Sequence, residues 1–188
     1  MLRDTALIPS EAIRLAALGL LAQAPRRYAE LAAEVRHFVS RIVGPSLDLM
    51  GSSLELLRHE GLMERSDGSA AGYTAPDAEL RITPAGRSEM EALLSAPLRG
   101  PINDFGKLVI ALKLRFLHLL PPGGQSAQVE QLSEIYEGEV VRLRDLKERL
   151  KADSSNLGSW IDHEIGQAEE RLAWFRTLAA RIAGGKNR

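Results

Sequence analysis

Hydrophobic positions recur at helical spacing along most of the chain, and the places where that period fails mark the other elements. Ile13, Ala16, Ala17, Leu20 and Leu21 share one face behind a capping Ser10, which predicts a helix ended at Ala24-Pro25. Leu31, Val35 and Phe38 or Val39 predict a second helix over roughly 27–42, turned off by Gly44-Pro45. Leu47, Met50, Leu54 and Leu57 predict a third over roughly 47–60, with Gly61 as its stop. The period then changes to two. Residues 62–66 and 79–82 alternate as strands around Asp67-Gly68 and a small-residue loop with Gly72 and Pro76. Thr83-Pro84 supplies a hydroxyl cap and a proline at the first helical position, starting a fourth helix with Met90, Leu93 and Leu94. Three helices, a two-stranded hairpin and a trailing helix describe a winged helix-turn-helix.

The remainder is almost wholly helical in pattern. One helix spans roughly 103–120 and stops at Pro121-Pro122-Gly123-Gly124. A second, over 125–152, carries Val129, Leu132, Tyr136, Leu143, Leu146 and Leu150 at alternating steps, with Glu139 as the polar member of the seam. A third, over 157–182, repeats the pattern in Ile161, Ile165, Ala168, Leu172, Phe175, Ala179 and Ile182. A short Asp153-Ser-Ser-Asn156 link makes the pair an antiparallel helical hairpin. Such seams pack on each other or on a second subunit. So long a hairpin on a small domain has little else to cover it, which favours a homodimer arm. Leu132, Tyr136, Leu143, Leu146, Leu150, Ile165, Leu172, Phe175 and Ile182 are its expected dimerisation residues. The fold class is therefore mainly α. The expected division is 1–97 as a winged-helix DNA-binding domain and 98–188 as a helical dimerisation domain, with the boundary in the Pro- and Gly-containing segment 95–101.

Charge complicates this picture. The 188 residues carry 24 Lys and Arg against 25 Asp and Glu, a net charge of −1. That excludes a protein that coats nucleic acid or anionic lipid by bulk charge. The imbalance is uneven: residues 1–97 sum to −3 and 98–188 to +2. DNA binding would have to come from a few arginines. The absence of cysteine excludes disulfides and thiolate chemistry. His59-Glu60 and His163-Glu164 are isolated pairs, the glycines form no phosphate-binding loop, and Ser10, Ser40 and Ser46 lack a nucleophile context. No catalytic group, metal site or cofactor is expected. The first ten residues lack a signal-peptide pattern, and the stretch 108–120 is interrupted by Lys113, Arg115 and His118. A cytoplasmic protein without membrane contact is expected.

Several segments together resemble the PadR family of bacterial transcriptional regulators over roughly residues 12–183. They are Leu18-Gly-Leu-Leu-Ala-Gln-Ala-Pro-Arg26 with Glu30-Leu31, then Leu54-x-x-Leu57-x-x-x-Gly61-Leu62. Leu80-Arg-Ile-Thr83-Pro-Ala-Gly-Arg87 is similar to the family's strand-to-helix element, and Glu169-x-x-Leu172-x-Trp174 to its final helix. Two motifs depart from the family pattern, and each lacks the family's Tyr. Asp48, Leu49, Met50 and Gly51 stand where the family has Gly-[Ser/Thr]-x-Tyr, and Ala29 stands for the Tyr of Gly-Tyr-Glu-Leu.

A winged helix presents the start of its third helix to the major groove and its wing to the backbone. The candidate DNA-contacting residues are accordingly Ser52, Ser53, Glu55, Arg58 and His59 on that helix. Arg26, Arg27 and Tyr28 join them before the second helix, and Arg65, Tyr73 and Arg81 on the wing. Each also reads as an ordinary surface residue, the arginines in Arg–Glu pairs. The resemblance implies an operator near the protein's own gene, a repressor role, and release by a small aromatic or amphipathic effector. Phe105, Phe116, Trp160 and Trp174 are the candidate effector-pocket residues. The alternative is a ligand-sensing or protein-interaction module that keeps the fold with weak or no specific DNA binding.

Overall fold

Two locks at the end of the wing show how the sequence sets the fold. The Thr83 hydroxyl accepts from the Gly86 N–H (3.0 Å) and donates to the Gly61 carbonyl (2.7 Å). One side chain thus caps a helix and ties it to the turn before the wing. Gly86 cannot be larger: a Cβ there would lie 2.0 Å from the Leu62 carbonyl oxygen. Gly61 itself adopts φ +69°, which glycine tolerates without steric cost.

The computed structural model describes residues 9–44, 50–69, 75–98, 103–150 and 155–185. Its elements run α1 (Pro9–Gln23), β1 (Arg26–Arg27), α2 (Tyr28–Val43), α3 (Met50–His59), β2 (Met63–Arg65), β3 (Glu79–Ile82) and α4 (Pro84–Ser95). Then follow α5 (Asp104–Phe116), a 3-10 turn (Leu117–Leu119), α6 (Pro122–Arg149) and α7 (Leu157–Ala183). The expected helices are all present. Leu47, Asp48, Leu49 and Tyr73 lie outside the described residues.

The wing differs from the two-stranded hairpin expected. The sheet is three-stranded and antiparallel in the order β1-β3-β2, because Arg26–Arg27 pairs with Leu80 and Glu79 on the free edge of β3. On the other edge Met63, Glu64 and Arg65 face Ile82, Arg81 and Leu80. A two-residue strand has no period to read, so it was hidden in the approach to α2. Pro122 likewise opens α6 rather than ending α5: at the first helical position the missing N–H leaves no bond unmade.

The chain divides into two compact units, Met1–Pro97 with Ile102–Leu120, and Leu98–Pro101 with Pro121–Arg188. The expected boundary at 97/98 therefore moves for α5, which packs on α1 and α2 of the first unit. Two contacts explain this. Phe116 is buried directly over Gly19, where a Cβ would come within 2.6 Å of the ring. Lys113, fully buried, donates from Nζ to the Leu93 (3.3 Å), Leu94 (2.5 Å) and Ala96 (2.7 Å) carbonyls, closing the C-terminal end of α4. The lysine that interrupts an apolar run in the sequence is thus a helix cap inside the core.

In the second unit α7 folds back on α6. Val140, Leu143, Ile161, Ile165 and Ala168 form the inner cluster, with Leu150 packed against it, and Tyr136 stacks on Phe175 at 5.4 Å between centroids. Leu132, Tyr136, Leu143, Ile165, Leu172 and Phe175 are buried within this single chain, and Ile182 is half-buried. Most of the seam assigned to dimerisation is therefore covered without a second subunit. Among the described residues the hairpin's exposed large apolar side chains are Val141, Leu146, Leu157, Trp160 and Trp174, of which Leu146 belongs to the assigned seam.

Candidate nucleic-acid interface

The register of the short edge strand separates two neighbouring arginines. Arg26 lies opposite the buried Leu80, and Arg27 opposite the exposed Glu79, so the pleat sends their side chains to opposite faces. Arg26 pairs with Glu34 of α2 (2.9 Å). Glu34 also accepts from Arg115 of α5, whose guanidinium lies 4.8 Å from the centre of the Phe38 ring. Arg26 is thereby a strut joining β1, α2 and α5. Arg27 is exposed and makes no ion pair among the described residues. It stands directly before Tyr28, whose backbone N–H donates to the Ala78 carbonyl (2.8 Å) and fixes the start of α2 against the wing.

Helix α3 carries Ser52, Ser53, Glu55, Arg58 and His59. The side chains of Gly51's neighbours Ser52 and Ser53 lie outside the described ones. Glu55 and Arg58 pair one turn apart (3.6 Å), and Arg58 contacts the His59 ring (3.1 Å). Arg58 and His59 occupy the last turn, where positive charge suits the helix dipole. On the wing Arg65 pairs with Asp67 (2.6 Å) and Arg81 with Glu64 (2.8 Å). An Arg65 hydrogen bond holds the Asp67 carboxyl below its usual range, helped by the Ser69 N–H.

The structure therefore sorts the sequence-predicted arginines. Arg26, Arg58, Arg65 and Arg81 each meet an acid of the same chain, and Arg27 alone of the five is presented without one. Sequence reasoning missed three further exposed arginines of this unit, Arg36, Arg41 and Arg87, which make no ion pair among the described residues. Only their solvent-facing helical positions could have flagged them.

The aromatic residues nominated for an effector pocket are divided between the units, Phe105 and Phe116 on α5 of the first and Trp160 and Trp174 on α7 of the second. Phe116 is core, and Phe105 is half-buried on α5. Trp160 (52% exposed) and Trp174 (47%) lie on α7, about 21 Å apart along its axis from the rise per residue. Trp174 meets Phe175 edge-on at 5.0 Å. Among the described residues no group of His, Asp and Glu could hold a metal, and no helix is long and apolar enough to cross a membrane.

A family model described as putative AphA-like transcriptional regulator matches residues 2–179. The chain belongs to this family. It is a PadR-like group of regulators, in keeping with the sequence motifs. No curated protein matches the chain. Among solved structures, Bacillus subtilis PadR is 16% identical, with 95% of this chain and 98% of that one covered and a TM-score of 0.39. The same protein in complex with operator DNA is 17% identical, covering 90% and 98%, at 0.37. Smu.1604c from Streptococcus mutans is 17% identical, covering 93% and 99%, also at 0.37. Membership rests on the family model, not on these overlaps.

Proposed function

We propose that this AphA-like regulator binds a specific double-stranded operator near its own gene as a homodimer and acts as a repressor. The observation that carries the reading is a transcriptional-regulator family match spanning both units, 2–179, on a chain whose first unit is a helix-turn-helix with a wing. Base contacts come from Ser52, Ser53, Glu55 and Arg58 of α3, and backbone contacts from Arg27 and Tyr28 at the start of α2 and from the wing. Dimerisation uses Leu146, the exposed member of the seam, with Trp160 and Trp174, rather than the seam's buried residues. A small aromatic or amphipathic effector shifts the dimer to a form with lower operator affinity.

Purified protein titrated against its own upstream fragment and a scrambled fragment of equal length tests this. Selective, salt-sensitive binding by a dimer in light scattering supports it. Equal affinity for both fragments overturns it. That second outcome would support a sensing or interaction module on a retained fold, which is favoured by one observation: four of the five predicted arginines meet their own acids.

A further inference from the structure

Arg14 joins three helices of the first unit. From α1, with only 17% of its side chain exposed, it makes a two-pronged contact to Glu60 at 2.5 and 3.0 Å. The same guanidinium reaches Glu89 of α4 at 3.1 Å. Glu60 stands directly after the last residue of α3, where a negative charge opposes the helix dipole. An acid there needs a cation, and Arg14 supplies it; the paired carboxylates in turn raise the Arg14 pKa.

Helix α3 is anchored by the buried Leu54 and Leu57 and closed by bonds at its C-terminal end. The Glu60 N–H donates to the Leu56 carbonyl, the Leu62 N–H to the Leu57 carbonyl, and the Thr83 hydroxyl to the Gly61 carbonyl. Arg14 ties residue 60, at the end of α3, to α1 and α4 through two parallel bonds to Glu60 and one to Glu89. A planar fork constrains direction as well as distance.

We infer that Arg14 is a positioning residue for the recognition helix: its fork on Glu60, braced by Glu89, sets the angle at which α3 is presented to DNA. Arg14 touches no base or phosphate in this role. It acts by discriminating the operator from other sequences. Base-edge hydrogen bonds tolerate little displacement, whereas phosphate contacts are long-sided and adaptable.

This inference rests on the DNA-binding reading above, and the test separates the two. Arg14→Met, Glu60→Gln and the double variant are titrated against the upstream fragment and a scrambled fragment across salt, with folded fraction followed by circular dichroism. The operator-to-scrambled affinity ratio is expected to fall about fivefold in each single variant, the upper range for a partly exposed charged pair. Scrambled-fragment affinity and the salt slope stay unchanged. The double variant is no worse than either single one, because both act through one contact. Arg14→Lys, which keeps the charge and loses the fork, recovers only part of the ratio. If Arg14→Met fails to fold, Glu60→Gln and Arg14→Lys decide on the same ratio. An unchanged ratio, or a parallel loss of specific and non-specific binding, overturns the inference while leaving the DNA reading intact. Wild-type protein that does not discriminate overturns both.

Discussion

The two units are held by different physics. The first depends on single positions: a threonine that bonds in two directions, a glycine under a carbonyl, a lysine that caps a helix from inside the core. The second depends on repetition: one apolar seam, a stacked Tyr136–Phe175 pair, and ion pairs Glu137–Arg176, Arg144–Glu169 and Lys147–Asp162 between its helices. Repetition spreads the energy over many contacts, and unique locks concentrate it. A surface that must hold helices at a set angle for recognition gains from locks. An arm gains from a seam whose burial is shared among many side chains, with Phe175 as its one concentrated contact.

The largest effect should come where the seam is least redundant. Phe175→Ala removes a buried ring from between Tyr136 and Trp174 and is expected to destabilise by about 3–5 kcal/mol, read from urea unfolding. Gly86→Ala probes a lock instead. Its Cβ meets backbone that cannot rotate away, and a loss of about 3 kcal/mol is expected, with the wing displaced. If Gly86→Ala proves silent while Phe175→Ala is severe, the contrast between the units fails.

Lys113 gives the contrast a pH dependence. Burial pushes its ammonium down from 10.5 to about 7, against the pull of three carbonyls. Between those values the unfolded chain holds a proton that the folded one has lost, so stability contributed by this group rises with pH across that window. Unfolding midpoints at pH 7 and about pH 9 should show the rise in the wild type and lose it in Lys113→Met. Thr83→Ala comes next, at about 1–2 kcal/mol for a lost cap whose Gly61 partner is left unbonded. Arg144→Ala, on the exposed face of the hairpin, should cost about 0.5 kcal/mol or less and nothing at high salt.

What could be read in the sequence follows the same division. The seams and the start of α4 were legible because periodicity and caps are local: Thr83-Pro84 and the steps from Ile161 to Phe175 appear in the structure as read, whereas Ser10, expected as a cap, lies inside α1, and α6 starts at Pro122 rather than Gln125. Strand β1 was not legible, since two residues carry no period. Lys113 looked like an interruption because its partners, the carbonyls of 93, 94 and 96, leave no trace in side-chain identity. The candidate interface was legible as a set of positions and not as a set of charges. Nothing in the spacing of Arg26, Arg58, Arg65 and Arg81 tells that Glu34, Glu55, Asp67 and Glu64 fold against them, or that the pleat turns Arg27 outward while turning Arg26 in.

That last distinction is also the most direct point of attack. The dependence of operator affinity on salt concentration should be compared for wild type, Arg27→Ala and Arg26→Ala. The log–log slope is expected to shrink by about one per subunit in Arg27→Ala, as one phosphate contact disappears, and to hold in Arg26→Ala. An unchanged slope in Arg27→Ala, or an equal loss in both, contradicts the assignment of the DNA face.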